Sequence, residues 1–219
     1  MSVYDAKSIP AEVNIRTLKE RTVAHPAHET PRVAIPLPSE TAIRRFIGNS
    51  YDGEKTLNVI KMFAGTEDMF DATIGLVKAI FKAQGIDPKT REMIILRAAK
   101  VLDSPYEWQA NTQMAKNVGL SPNEIDAAAS DGPVVGINPE YVLVCKATDE
   151  LSTSGTLRDE TLSELLDKYG ETISRKIVLM IAWFNLLSRF LNGCRVPLET
   201  TDKIGTGTSP LANSGDLPM

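Results

Sequence analysis

The chain has 219 residues, 42% hydrophobic and 24% charged, enough to bury one sizeable core. Its 24 basic and 28 acidic side chains leave a net charge of −4, which argues against nucleic acid and against an anionic membrane surface as partners. Two cysteines, Cys145 and Cys194, are too few for a disulfide framework, and with only two histidines no metal-ligand cluster can be read, so no metal is expected.

Residues 1–38 are polar and interrupted by Pro10, Pro26, Pro31, Pro36 and Pro38, which predicts an extended arm with one short helix near 13–19. This N-terminus has no apolar segment of the secretory kind, and the most apolar run, "IVLMIAWFNLL" from Ile177, is too short to span a bilayer. A soluble cytoplasmic protein is expected. From residue 39 onward the rhythm is helical. Prolines 88, 105, 122 and 139 each follow a capping residue, Asp87, Ser104, Ser121 and Asn138. A cap oxygen takes a free backbone N–H, and proline loses nothing at a first helical position, where no bond was due. Glycines 85, 119, 132 and 170 fall where the preceding helices should end. These marks predict helices over 40–49, 53–64, 67–84, 88–103, 105–118, 122–131, 139–152, 159–169 and 172–192. Phe70, Ile74, Val77, Ile80 and Phe81, then Ile94, Ile95, Ala98, Val101 and Leu102, recur at helical spacing.

The helix over 172–192 is apolar on nearly all sides in its middle and so should be covered all round, inside the domain or at a subunit contact. Asn185, polar in that middle, is expected to bridge two helices, with a ligand contact as the lesser alternative. The Gly/Ser/Thr/Pro-rich stretch 200–219 reads as a flexible tail. No window has a period of two. The expectation is one all-α domain over 39–199, between an arm and a tail.

The chemistry, if any, lies in "SPYEWQAN", Ser104 to Asn111. Ser104, Glu107 and Asn111 share one face of the helix that Pro105 opens. On spacing alone Ser104 and Glu107 read first as a capping box, the device that "SPNE" repeats at Ser121 and Glu124. The alternative reading makes Glu107 a base or proton carrier in the first helical turn, where the helix dipole favours its anion, with Tyr106 and Trp108 as a stacking wall. Arg97, a charge inside "MIILRAAKVL", is a candidate to neutralise an acidic substrate, though an internal salt bridge is the favoured role. His25 and His28 are read as arm residues without a role, the lesser alternative being that a mobile arm brings an imidazole to the pocket.

The block "TREMIILRAAKVLDSPYEWQANTQMAKNVGL", with "KATDEL" and "ISRKIVLMIAWFNLLSRFLNGCRVPLE" downstream, resembles the carboxymuconolactone decarboxylase and alkylhydroperoxidase-D-like family over roughly residues 60 to 199. Peroxidase members carry Glu, eleven residues, then Cys-x-x-Cys-x-x-x-His; here these positions are Glu92, Ser104, Glu107 and Asn111. Serine and glutamate supply neither a thiolate nor a resolving thiol, so thiol peroxidase activity is argued against. Asparagine cannot titrate, so the relay histidine is also missing.

The resemblance implies an alkylhydroperoxidase-D-like helical domain in a closed homo-oligomer, a trimer or hexamer, with a dimer also open. It also implies a cofactor-independent acid/base enzyme, a decarboxylase, isomerase or related lyase or hydratase, acting on a small organic acid, lactone or cyclic ketone of a specialised pathway. Glu107 and Glu92 would carry the proton chemistry, with Asn111 and Ser104 orienting a substrate oxygen. Tyr106, Trp108, Arg97 and Asn185 complete the candidate site. A family member that has lost catalysis and survives as a binding or scaffold protein is the alternative, under which the capping account of Ser104 and Glu107 suffices.

Overall fold

The computed structural model describes residues 33–211. The expected helix near 13–19, His25 and His28 lie outside the described residues. Within them the chain is all helical: α1 (Glu40–Ile47), α2 (Asn58–Ala64), α3 (Phe70–Phe81), α4 (Pro88–Val101), α5 (Pro105–Asn117), α6 (Pro122–Ala128), α7 (Pro139–Ser154) and α8 (Asp159–Cys194). One-turn 3₁₀ segments, Gly48–Ser50 and Glu67–Met69, precede α2 and α3.

The proline-marked starts stand where expected. Asp87, Ser121 and Asn138 accept the backbone N–H groups of Lys89, Glu124 and Glu140, opening α4, α6 and α7. Two boundaries differ most from expectation. α2 begins at Asn58 and not near 53, because the Asp52 carboxylate accepts from the N–H groups of Glu54 and Lys55 and bends the chain into a turn. The helices expected over 159–169 and 172–192 run together as α8, broken only at Gly170, whose φ of 69° and ψ of 171° suit a residue without Cβ.

The axle of the domain is α4. Ten consecutive residues, Thr90 to Ala99, are buried, and the helix packs against α5, α6, α7 and α8. This is the helix covered on every side, a place expected for 172–192. By contrast α8 buries Ile177, Met180, Ile181, Phe184, Ser188 and Leu191 but leaves Leu179 and Leu186 more than half exposed. By length, and by the composition of its most apolar stretch, α8 could cross a bilayer, though its buried face is here part of the core. One continuous apolar cluster runs from Ile43 to Ile204.

Residues 200–211 are not a free tail. Asn117 Nδ2 donates to the carbonyls of Gly205 and Gly207, both at 2.8 Å, Arg91 donates to that of Thr208 at 3.1 Å, and Ile204 is buried. A Gly/Ser/Thr-rich stretch offers few side chains to pack, but its carbonyls are gripped by side chains from α4 and α5. At the other end, the Ile35 N–H bonds the Cys194 carbonyl and Arg195 holds that of Val33, so residues 33–35 lie along the end of α8.

Candidate functional site

Between α4 and α5 the chain turns in three residues. Asp103 takes a left-handed φ of 52°, and Asn192 of α8 donates to the carbonyls of Leu102 and Asp103, each at 3.1 Å. This turn delivers Ser104 with φ −106° and ψ 89°, whereas Ser121 enters its helix with ψ 157°. The difference decides the fate of the two Ser-Pro-x-Glu starts. Ser121 and Glu124 close a complete capping box, but Ser104 caps nothing. The expected capping box at Ser104 and Glu107 is thus absent.

Freed from capping, Glu107 turns inward and is 1% exposed. Its Oε2 accepts a hydrogen bond from Ser188 Oγ on α8. Glu92, on α4, is fully buried, and its Oε1 accepts from Arg91 Nε at 3.1 Å. The Arg91 guanidinium also holds the carbonyls of Phe81 and Thr208 and lies over the Phe81 ring. Three buried oxygens here have no hydrogen-bond partner among the described residues: Glu92 Oε2, Glu107 Oε1 and Ser104 Oγ. Burying such groups unpaired costs about 1–3 kcal/mol each, more if charged.

Burial pushes the Glu107 carboxyl up to about 8; the Ser188 hydrogen bond works against this, and the nearby charge of Glu92 adds to it. Burial likewise lifts Glu92 to about 7, with Arg91 pulling the other way. The α5 N-terminus favours an anion at Glu107 by about 1 kcal/mol, less than the desolvation that opposes it. The charge of Glu92 thus bears on Glu107, and burial favours the protonated form of each carboxyl.

Glu107 and Asn111 form part of the wall of a narrow cavity between α2, α3, α5 and α8, with Pro210 of the C-terminal segment also on it. The rest of the wall is apolar and aromatic, including Phe63, Phe81, Met114, Trp183, Phe184 and Leu187. Its enclosed space, about 30 Å³, holds a water or two. Asn111 Nδ2 donates to the carbonyl of Glu107 at 2.8 Å. Trp183 is 6% exposed, and its Nε1 has no partner among the described residues.

The remaining candidates divide. Glu92 and Ser104 stand behind the wall, beside Glu107 in space or sequence but not on the cavity. Tyr106 reaches the wall, yet its hydroxyl donates to Glu199 Oε1 at 2.5 Å and accepts from Val59 N at 3.0 Å. It anchors the segment after α8. Trp108 packs, partly buried, against the core and not on the wall. Arg97 is fully committed elsewhere: it pairs with Asp149 at 2.5 Å and donates to the carbonyls of Ala128, Ser130 and Gly132. A substrate-binding role for Arg97 is therefore corrected to a structural one, tying α4 to α7 and to the turn after α6. Asn185 likewise bridges helices, donating to Ser152 Oγ at 2.9 Å and accepting from Arg189 at 3.0 Å. Cys145 and Cys194 are buried free thiols, and burial pushes Cys145 up to about 12.

Ser188, Trp183 and Glu199 were not anticipated. The only trace of Ser188 in the sequence is a hydroxyl within an apolar helix, and nothing local says that it meets a carboxylate 81 residues earlier.

Residues 67–150 match the carboxymuconolactone decarboxylase family model. This segment is therefore similar to that family, in line with the resemblance read from Glu92 to Asn111. Among curated proteins none matches the chain. The matched segment holds α3 to most of α7, with both buried carboxyls, while α2, α8 and residue 210, which complete the cavity, lie outside it.

Proposed function

We propose that the protein is a cofactor-independent acid/base enzyme acting on a small organic acid, lactone or cyclic ketone, by decarboxylation, isomerisation or a related lyase or hydration step. The observation that carries this reading is Glu107: a carboxyl at a helix start that forgoes capping, is buried, keeps one oxygen unpartnered and lies on a cavity wall. A structural glutamate would satisfy both oxygens. Glu107 would give a proton to the substrate, or take one from it, at the cavity wall. Glu92 would act through Glu107, since a charge on either carboxyl raises the affinity of the other for a proton. Ser188 would hold the orientation of Glu107. Asn111, fixed by its bond to the helix backbone, would present its remaining polarity to a substrate oxygen.

A trimer or hexamer belongs to the same proposal, supported by the exposed Leu179 and Leu186 on α8 and tested by sedimentation of the full chain. The small cavity favours a second reading, a non-catalytic binding protein. Isotope exchange separates the two. Deuterium uptake at the α-carbon of cyclic ketones and lactones, and CO2 release from β-keto acids, should be accelerated by the protein and fall at least about a hundredfold in Glu107→Gln. A rate that is unchanged in the variant, or no acceleration with any of these compounds, would favour the binding protein.

A further inference from the structure

Four polar side chains reach the cavity wall: Tyr106, Glu107, Asn111 and Trp183. The Tyr106 hydroxyl is already engaged, bonding Glu199 and Val59, and Asn111 Nδ2 spends one of its N–H groups on the Glu107 carbonyl. The indole Nε1 of Trp183 is different: it can only donate, it is more than nine-tenths buried, and it has no partner among the described residues. Nothing cationic stands on the wall among the described residues; the nearby guanidinium of Arg91 is occupied by Glu92 and two carbonyls. An anion placed here would be stripped of water with no counter-charge and would face the carboxyl of Glu107. The phenylalanines, Met114 and Leu187 bury carbon without distinction.

We propose that the cavity takes a neutral, mostly apolar carbonyl compound, a ketone or lactone and not a carboxylate, whose oxygen accepts a hydrogen bond from Trp183 Nε1. This narrows the substrates of the function proposed above and rests on that reading of the cavity as the reacting site. The indole fixes the carbonyl oxygen from the α8 side and Glu107 meets the same compound from the α5 side. The compound exceeds the present 30 Å³, so its arrival displaces part of the wall. Pro210 is the wall residue contributed by the segment after α8, which is held to α4 and α5 through backbone carbonyls.

The test is a calorimetric titration of the full chain at pH 7 with three probes of one shape: acetophenone, α-methylstyrene, which has CH2 in place of the oxygen, and benzoate. Acetophenone should bind at least about a hundredfold more tightly than benzoate. It should bind about tenfold more tightly than the alkene, the value of one neutral hydrogen bond. In Trp183→Phe the ketone-to-alkene ratio should fall to near one while alkene affinity changes less than about threefold. Benzoate binding as well as the ketone, a ketone-to-alkene ratio that survives Trp183→Phe, or no binding by any probe would each overturn the inference. The benzoate comparison needs only the wild-type chain, so a poorly folded variant cannot rescue the idea. Failure of the acid/base reading looks different: the ketone preference and its dependence on Trp183 persist, but Glu107→Gln leaves isotope exchange unchanged.

Discussion

Replacing Glu107 by glutamine keeps the size of the side chain and an acceptor for Ser188 but removes the proton that titrates. In the wild type, burial raises this carboxyl from an ordinary 4.5 to about 8. Between those values the unfolded chain binds fewer protons than the folded one, so stability falls as pH rises through this window. At about 1.4 kcal/mol per unit, the shift amounts to on the order of 5 kcal/mol once pH is well above 8, a ceiling that water reaching the cavity would lower. Urea unfolding of both proteins across pH 5 to 9 reads this directly. At pH 5 the two midpoints should nearly coincide, because a protonated glutamate and a glutamine are close in shape and polarity. At pH 9 the variant should be the more stable by several kcal/mol. Glu92 stays in both proteins and contributes its own decline up to about 7, so the difference between the curves reports Glu107 together with its coupling to Glu92. Parallel curves over the whole range would refute the argument, for they would mean that Glu107 ionises in water like any surface carboxylate.

Ser188→Ala leaves Glu107 with neither oxygen partnered; it should destabilise the fold by about 1–3 kcal/mol and move the corresponding limb of a pH–rate profile upward, since the lost hydrogen bond favours the anion. Arg97→Ala strands Asp149 and three carbonyls, and should cost about 3–5 kcal/mol in thermal or urea unfolding without a selective loss of ligand affinity. Asn117→Ala releases the carbonyls of Gly205 and Gly207; amide exchange should quicken over 203–209 and ligand association should speed up, while an unchanged exchange pattern would mean that Arg91 and Ile204 alone hold the segment.

Helix positions were legible because their signals are local. Asp87, Ser121 and Asn138 each precede a proline and cap the helix it opens, and Gly170 breaks α8 where a glycine should. The same local rule failed at Ser104. Its ψ is set by the Asp103 turn and by Asn192 of α8, and a side chain nearly ninety residues away does not figure in a capping pattern. The buried pair Glu92 and Glu107 was identified by family resemblance, but the partner of Glu107 is Ser188, which periodicity treats as one more residue of an apolar helix. For Arg97 an internal salt bridge was legible as the favoured role, but its partner, Asp149 on α7, was not. Composition misled at residues 200–211, where backbone carbonyls make the contacts that side chains usually make. It misled again on which helix is fully enclosed, because α4 carries Arg91, Glu92 and Arg97 inside the core with their charges matched or suppressed.

The division of the cavity between two parts of the chain has a consequence for how such a protein changes over generations. The proton-bearing pair sits on α4 and α5, within 67–150, while Trp183, Phe184 and Leu187 on α8 and Pro210 beyond it lie outside. Substitutions in the second group can reshape what fits without disturbing the desolvation that favours the protonated form of each carboxyl. Under the acid/base function proposed above, selection can therefore try new compounds one wall residue at a time while the acid stays the same.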